Sequence, residues 1–295
     1  MNTKLKQVVM ITGGNSGVGF AAASRFAAQG FHVVLAVRSQ HNGAQAIQRI
    51  QAKQPDASLE TIPLDLASFA SIRQCVETFA TRRLNLNILI NHAGGLVAGK
   101  QPSFTIDGFE MTFGTNHLGH FLLTNLLLDD LKRSAPARVI TVSSQLHDPE
   151  YAGGPKVDFD YANLKGEKYY NANVFYRNSK LANVWFAYEL QRRVAGSGVT
   201  SNVVCPGFVP ASIAERRKSS LEQFFYRQVL SRMPFARSLE QAADNYLTAA
   251  TDPRYESSGG KFIVDGQEKL SSRESYDEEK ACRLWEASSN WCGLE

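Results

Sequence analysis

A doubly wound α/β fold, with a mostly parallel sheet covered by helices on both faces, is what this 295-residue sequence predicts, and three observations carry the prediction. Short β-branched runs alternate along the chain with longer segments of helical period. The runs are apolar throughout, which suits strands buried on both faces and joined by helical crossovers. The first run also leads through a glycine-rich turn directly into an Ala-rich helical segment.

Taken in order, the predicted strands are Val8 to Ile11, His32 to Val37, Leu59 to Pro63, Ile88 to Ile90, Val139 to Val142, Thr200 to Val204 and Lys261 to Val264, a seven-stranded sheet. Helical spacing fills the gaps, as in Ile72, Val76, Phe79 and Ala80 at i, i+4, i+7 and i+8. Two regions break the alternation: Gln145 to Asn173, loop-like around Gly153-Gly154-Pro155, and Phe208 to Phe235, aromatic and basic. Both follow predicted strand ends, where open α/β sheets place ligands. No linker, repeat or low-complexity tract divides the chain. Residues 1–295 are therefore expected to form one domain, with a lid at about 208–235 and a helical tail at about 277–292.

Composition removes other classes. The hydrophobic set makes up 43% and charged residues 20%, enough apolar material for a core and too little charge for global disorder. A formal +4 over this length forms no stripe that would mark a nucleic-acid surface. Its longest basic cluster, Arg216-Arg217-Lys218, reads as a solvated helix end or a peripheral contact with anionic lipid. The N-terminus runs through Lys4, Leu5 and Lys6 into Val8, too short for a signal or spanning segment. Four cysteines without C-x-x-C spacing make no disulfide framework, so a soluble protein of the cytoplasm is the expectation.

The turn Thr12-Gly13-Gly14-Asn15-Ser16-Gly17-Val18-Gly19 sits between strand and helix. Its glycines allow a tight turn and close approach to a pyrophosphate, and the helix start receives the charge. A P-loop fails because Phe20 stands where Lys is needed, and a nucleophile elbow fails at Val18. At the end of the second strand a carboxylate would accept from the ribose of NAD. The chain has Arg38 and Ser39 instead, which suits the 2′-phosphate of NADP(H). Asp65, after the third strand, could accept from an adenine amino group or cap the following helix.

One predicted helix, beginning near Asn173, places Tyr176 and Lys180 four residues apart on one face. A phenol titrates near 10, so proton exchange at about pH 7 requires its anion to be favoured by roughly 3 to 4 kcal/mol. A neighbouring ammonium supplies a field of that sign.

These motifs resemble the short-chain dehydrogenase/reductase family from Thr12 to Gly207. The glycine turn is similar to the family's TGxxxGxG loop, Asp65-Leu66 to its adenine-contacting element, and Asn91-His92-Ala93-Gly94 to its NNAG segment with His92 as a departure. The resemblance implies a Rossmann fold and a catalytic set of Asn116, Ser144, Tyr176 and Lys180, with Ser144 chosen over Ser143. It implies that Ser144 binds the substrate oxygen, Tyr176 moves its proton, Lys180 holds the nicotinamide ribose, and Asn116, in a helix interior, holds a relay water. Pro206-Gly207 and Val209 would pass the nicotinamide carboxamide. The hydroxyl usual five residues after that proline is replaced by Ala211, with Ser212 following.

Within the family the resemblance is to the retinol dehydrogenase and light-dependent protochlorophyllide reductase branch, carried by Gly114 to Thr124, Leu164 to Ala172, Ser179 to Asn183 and Ala281 to Glu286. It implies hydride transfer between NADP(H) and a hydrophobic aldehyde, ketone or alcohol, retinal-like in kind, and a homodimer as one assembly. Light-driven reduction of a tetrapyrrole is the alternative enzyme, and an NADPH-binding sensor with little turnover the alternative of another class. Independently, the aromatic residues Phe208, Phe224, Phe225 and Tyr170 would line an apolar substrate pocket or pack their segments down. The tail around Leu284, Trp285 and Trp291 would close that pocket or form a subunit contact. His117 and His120 lack a third ligand, so no metal is expected, and His92 and Cys205 read as packing residues near the cofactor.

Overall fold

The computed structural model describes residues 6–152, 159–215, 217 and 219–294. The chain runs β1 (Val8–Thr12), α1 (Gly17–Ala28), β2 (His32–Val37), α2 (Gln40–Gln51), β3 (Ser58–Pro63), α3 (Phe69–Thr81), β4 (Leu86–Asn91), α4 (Met111–Phe113), α5 (Gly119–Leu126) and α6 (Leu128–Arg133). It continues through β5 (Ala137–Val142), α7 (Pro149–Ala152), α8 (Ala172–Arg193), β6 (Val199–Cys205), α9 (Pro210–Ala214), α10 (Ser220–Phe224), α11 (Leu239–Thr251), β7 (Phe262–Val264), β8 (Gln267–Lys269) and α12 (Glu278–Trp291).

The strands form one sheet in the order β3-β2-β1-β4-β5-β6-β7-β8. All neighbours are parallel except β8, which returns antiparallel along β7. The sheet therefore has eight strands where seven are predicted. The extra one is three exposed polar residues on the edge, with no apolar period to announce it.

Side chains alternate between two cores, as period-2 geometry requires. Val8 and Met10 of β1 face a core shared with α3, α5, α8 and α12, while Val9 and Ile11 face one shared with α1, α2 and α11. Trp185 of α8 is 1% exposed and packs between Phe159 and the first of these cores. Strand order reverses between β1 and β4, so the crossovers on either side diverge and leave a crevice at the carboxyl ends of the strands. Register brings those ends level: Thr12 lies opposite Ala36, Asn91 opposite Thr141, and Val142 opposite Val204.

Candidate active site

At the end of β1 the chain turns through Gly13 (φ +69°) and enters α1 at Gly17 (φ +52°), conformations that disfavour any residue with a Cβ. The Gly13 N–H donates to Ala36 O at 2.9 Å, tying the turn to β2. A Cβ on Gly19 would meet Gly13 O at 2.5 Å. Ser16 gives α1 no side-chain cap and the first turn holds no acidic residue, so the helix start keeps its positive character toward the crevice. A cleft of about 440 Å³ opens there, lined by Gly13, Asn15, Ser16, Arg38, Ser39, Asp65, Leu66, Ala93 and Gly94. Arg38 is exposed at its rim and makes no ion pair among the described residues. Ser39 caps α2 by accepting from Asn42 N at 3.2 Å, which leaves its hydroxyl hydrogen to donate. Asp65 Oδ1 accepts from Ala67 N at 3.0 Å, a local turn, while Ser68 is the cap of α3.

Thr12, fully buried, shapes the far wall. Its Oγ1 accepts from His92 N and Ala93 N, each at 2.9 Å, and lies 2.9 Å from His120 Nε2. His120 Nδ1 must donate to the Asn116 carbonyl at 3.0 Å; Thr12 Oγ1, already accepting two N–H bonds, donates to Nε2, and burial keeps the ring neutral. His117 contacts Ser288 Oγ at 3.0 Å. Asn91 is buried beneath, donating to Thr124 Oγ1 at 2.8 Å.

Burial pushes His120 down to about 4 and His117 down to about 3. In the unfolded chain each takes a proton near 6.5, so below that pH the unfolded state binds more protons. The stability of the neutral rings is intact above 6.5 and is lost as pH falls through about 4 and about 3. Urea unfolding between pH 6.5 and 4 is expected to show a loss on the order of several kcal/mol; a flat midpoint over that range would contradict it.

Asn116 does not lie in a regular helix interior. It sits in a π-helical turn, Gly114–Leu118, between α4 and α5. Its Oδ1 accepts from Gly95 N at 2.8 Å, and its Nδ2 donates to Gly95 O at 3.1 Å and Ser179 Oγ at 2.9 Å. The amide is thus engaged at both ends in holding the Gly94–Gly95 bend against α8, and the sequence expectation of a side chain turned to a relay water finds its polar atoms already bonded.

That bend separates the first cleft from a second, of about 450 Å³, and lines both. Ser144, Tyr176, Lys180, Pro206, Gly207 and Val209 lie on the walls of the second, with Val18 of α1. The two serines after β5 differ in commitment. Ser143 is 2% exposed and donates to Lys180 O at 2.7 Å, whereas Ser144 is half-buried and its Oγ only accepts, from Leu146 N at 3.2 Å. Lys180, 5% exposed, donates to Val142 O at 3.2 Å and holds its ammonium 5.7 Å from the centroid of the Tyr176 ring. The sign of that charge favours an anion on the ring.

Among the four aromatic residues expected to line the pocket, only Phe208 does. Phe224 and Phe225 are 61% and 47% exposed and face outward from the lid, and Tyr170 donates to Glu110 Oε1 at 3.3 Å, away from the cleft. Phe235, at the end of the aromatic segment expected to form the lid, lines the cleft as well, and Leu146, Tyr151, Ile213 and Tyr246 take places that the sequence does not assign. Composition locates an aromatic segment but not the direction of its rings. Ser212 does face the site: a Cβ on Gly17 would come within 2.6 Å of its Oγ. The tail helix does not close the pocket. Among the described residues, none of α12 lines the cleft, and Trp285 packs instead on Phe121 and Phe186, with centroids at 4.9 and 5.8 Å. Lys4, Leu5, Gly153-Gly154-Pro155, Arg216 and Lys218 lie outside the described residues. No helix among the described residues is long and apolar enough to cross a membrane.

A sequence profile of the short chain dehydrogenases matches residues 7–156. The chain is 38% identical over 288 residues to retinol dehydrogenase 11 of Homo sapiens, covering 98% of this chain and 86% of that one. It is 39% identical over 285 residues to the WW domain-containing oxidoreductase of Gallus gallus, covering 96% of this chain and 67% of that protein. In three dimensions it is similar to an actinorhodin polyketide ketoreductase variant crystallised with NADPH, with a TM-score of 0.65, 21% identity and coverage of 90% and 97%.

Proposed function

The chain belongs to the short-chain dehydrogenase/reductase family, and from that premise we propose that it is an NADP(H)-dependent oxidoreductase acting on a hydrophobic aldehyde, ketone or alcohol. The observation that carries the reading is the pair of joined clefts: an anion-ready helix start with Arg38 at one end, and Ser144, Tyr176 and Lys180 on one wall at the other. The glycine turn fits a dinucleotide, since Gly13 and Gly17 adopt backbone angles that side chains resist and α1 lacks a side-chain cap. When bound, the nicotinamide supplies the hydride donor or acceptor.

In this reading Arg38, with the Ser39 hydroxyl, holds the 2′-phosphate, Asp65 meets the adenine, and Ser212 stands in for the hydroxyl missing at Ala211. Ser144 donates a hydrogen bond to the substrate oxygen. Tyr176 gives that oxygen a proton on reduction and takes one on oxidation. Lys180, fixed by Val142 O, supplies the positive field that favours the phenolate, and Ser143 locks α8 to the end of β5. Asn116 keeps the Gly94–Gly95 bend in place between the clefts.

Assays of NADPH-dependent reduction over a series of aldehydes of increasing apolar length test the reading, which fails if none is turned over. The same assays separate the lid residues. Phe208→Ala is expected to raise KM for the longer substrates about 10-fold, the worth of one well-buried apolar contact. Phe224→Ala, at an outward-facing position, is expected to leave KM within about two-fold. Equal effects of the two would contradict the placement of Phe208 on the pocket wall.

A further inference from the structure

Immediately after Ser144 the chain makes a single 3₁₀ turn, Gln145–His147, and His147 is 2% exposed. Its Nδ1 lies 2.6 Å from Ser144 O, and its backbone N–H reaches the same oxygen at 3.1 Å. A carbonyl only accepts, so Nδ1 carries the proton. Nε2 lies 3.0 Å from the backbone N–H of Ser272, which only donates, so Nε2 carries the lone pair. Partner chemistry thus fixes the tautomer. The ring packs on Phe262 of β7 at 5.1 Å between centroids.

The segment that His147 grips also holds the helix bearing Tyr176 and Lys180. Trp185 Nε1 donates to Glu274 O at 3.0 Å, Tyr188 OH lies 2.8 Å from Ser271 Oγ, and the Tyr188 and Tyr276 rings stack at 5.7 Å. Residues 271–276 therefore strap together the β5 turn and α8, two elements whose relative angle decides whether the Ser144 hydroxyl and the Tyr176 phenol converge on one oxygen.

We infer that His147 is a positioning residue for Ser144, fastening its carbonyl to the main chain at Ser272 so that the 271–276 strap sets the Ser144 hydroxyl against the Tyr176 helix. The inference rests on the reading of Ser144 and Tyr176 given above. It requires a neutral ring. Burial holds His147 below the usual histidine range, against the opposing influence of Asp148 and the Ser144 carbonyl. The other titratable groups facing it line a cavity of about 580 Å³ beside the ring: Glu150 from α7, Arg273, Glu274 and Tyr276 from the strap, and Asp277 from the cap of α12; α8 offers Leu181 and β7 offers Phe262. As pH falls through that lowered value, a proton on Nε2 would oppose the Ser272 N–H, donor against donor, and the link opens.

Three substitutions divide the link. His147→Asn keeps a donor for Ser144 O and loses Ser272, while His147→Gln can accept from Ser272 N and loses Ser144. Ser272→Pro removes only the N–H: φ at Ser272 is −61°, which proline adopts, and its Oγ has no hydrogen-bond partner to forfeit. Each is expected to lower kcat about 10-fold or more while NADPH affinity stays within about two-fold, because a small misplacement of a reacting group costs rate and the glycine turn is untouched. The His147→Asn, Ser272→Pro double variant is expected to be no slower than either single variant. The natural chain is expected to show an acid limb in kcat, and that limb is expected to disappear in His147→Asn. Single variants with unchanged kcat, a double variant with multiplied losses, or an acid limb unchanged in His147→Asn would each overturn the inference. Ser272→Pro carries the test if the His147 variants do not fold. Tyr176→Phe run in parallel separates the two readings: if it too keeps full turnover, the catalytic assignment has failed, and if it alone loses turnover, only the role of His147 has.

Discussion

Replacing Tyr176 by phenylalanine is expected to lower turnover by about 10²- to 10⁴-fold while leaving NADPH binding within about two-fold. The change removes one oxygen and keeps the ring, so the packing of α8 and the placement of Lys180 persist. What is lost is the group that exchanges a proton with the substrate oxygen. The expected loss corresponds to about 3 to 5 kcal/mol of barrier. Because Ser144 and Tyr176 act on one oxygen, the Ser144→Ala, Tyr176→Phe double variant is expected to lose much less than the product of the single losses. Single-turnover reduction of an aldehyde, with cofactor affinity measured separately by fluorescence titration, checks both parts. Turnover within two-fold of the natural chain would end the assignment of Tyr176.

What could be read from the sequence and what could not divide by the range of the contact. Tyr176 and Lys180 were legible because a helix puts residues four apart on one face, and the glycine turn because its spacing reports a backbone requirement at Gly13 and Gly17. Strand cores were legible because both faces are buried. The π turn at Asn116 was not, since one extra residue in a turn leaves the apolar period on either side almost unchanged. The outward rings of Phe224 and Phe225 were not, because the lid is built from pieces of five residues or fewer, too short for a period to give direction. Only family register favours Ser144 over Ser143 in the sequence; the bond that commits Ser143 to Lys180 O spans 37 residues and has no local signal. His147 and Ser272 are 125 residues apart, and no local pattern in either segment announces the other.

Exchanging Arg38 for aspartate is expected to shift the ratio of kcat/KM for NADPH over NADH by about 10²- to 10³-fold toward NADH. In the proposed role the guanidinium makes charge-assisted hydrogen bonds to the 2′-phosphate, worth about 1.5 to 3 kcal/mol. A carboxylate in its place removes them, adds repulsion against the phosphate, and gains about 1 kcal/mol by accepting from a free ribose hydroxyl. The two cofactors are thus moved in opposite directions by one side chain, which is why the ratio should respond more than either affinity. The fold has no stake in the exchange: Arg38 is exposed at the end of β2 and makes no ion pair among the described residues, and the cap of α2 comes from Ser39. The melting temperature is accordingly expected to stay within about 2 °C. Because the site is at the rim, salt should screen it, and raising ionic strength is expected to weaken NADPH in the natural chain more than NADH, a difference that changes sign in the variant, where salt screens the repulsion between carboxylate and phosphate. A variant that still prefers NADPH, with its melting temperature unchanged, would move the phosphate contact to another residue lining the same cleft, for which Ser39 and Asn42 are the neighbours within reach.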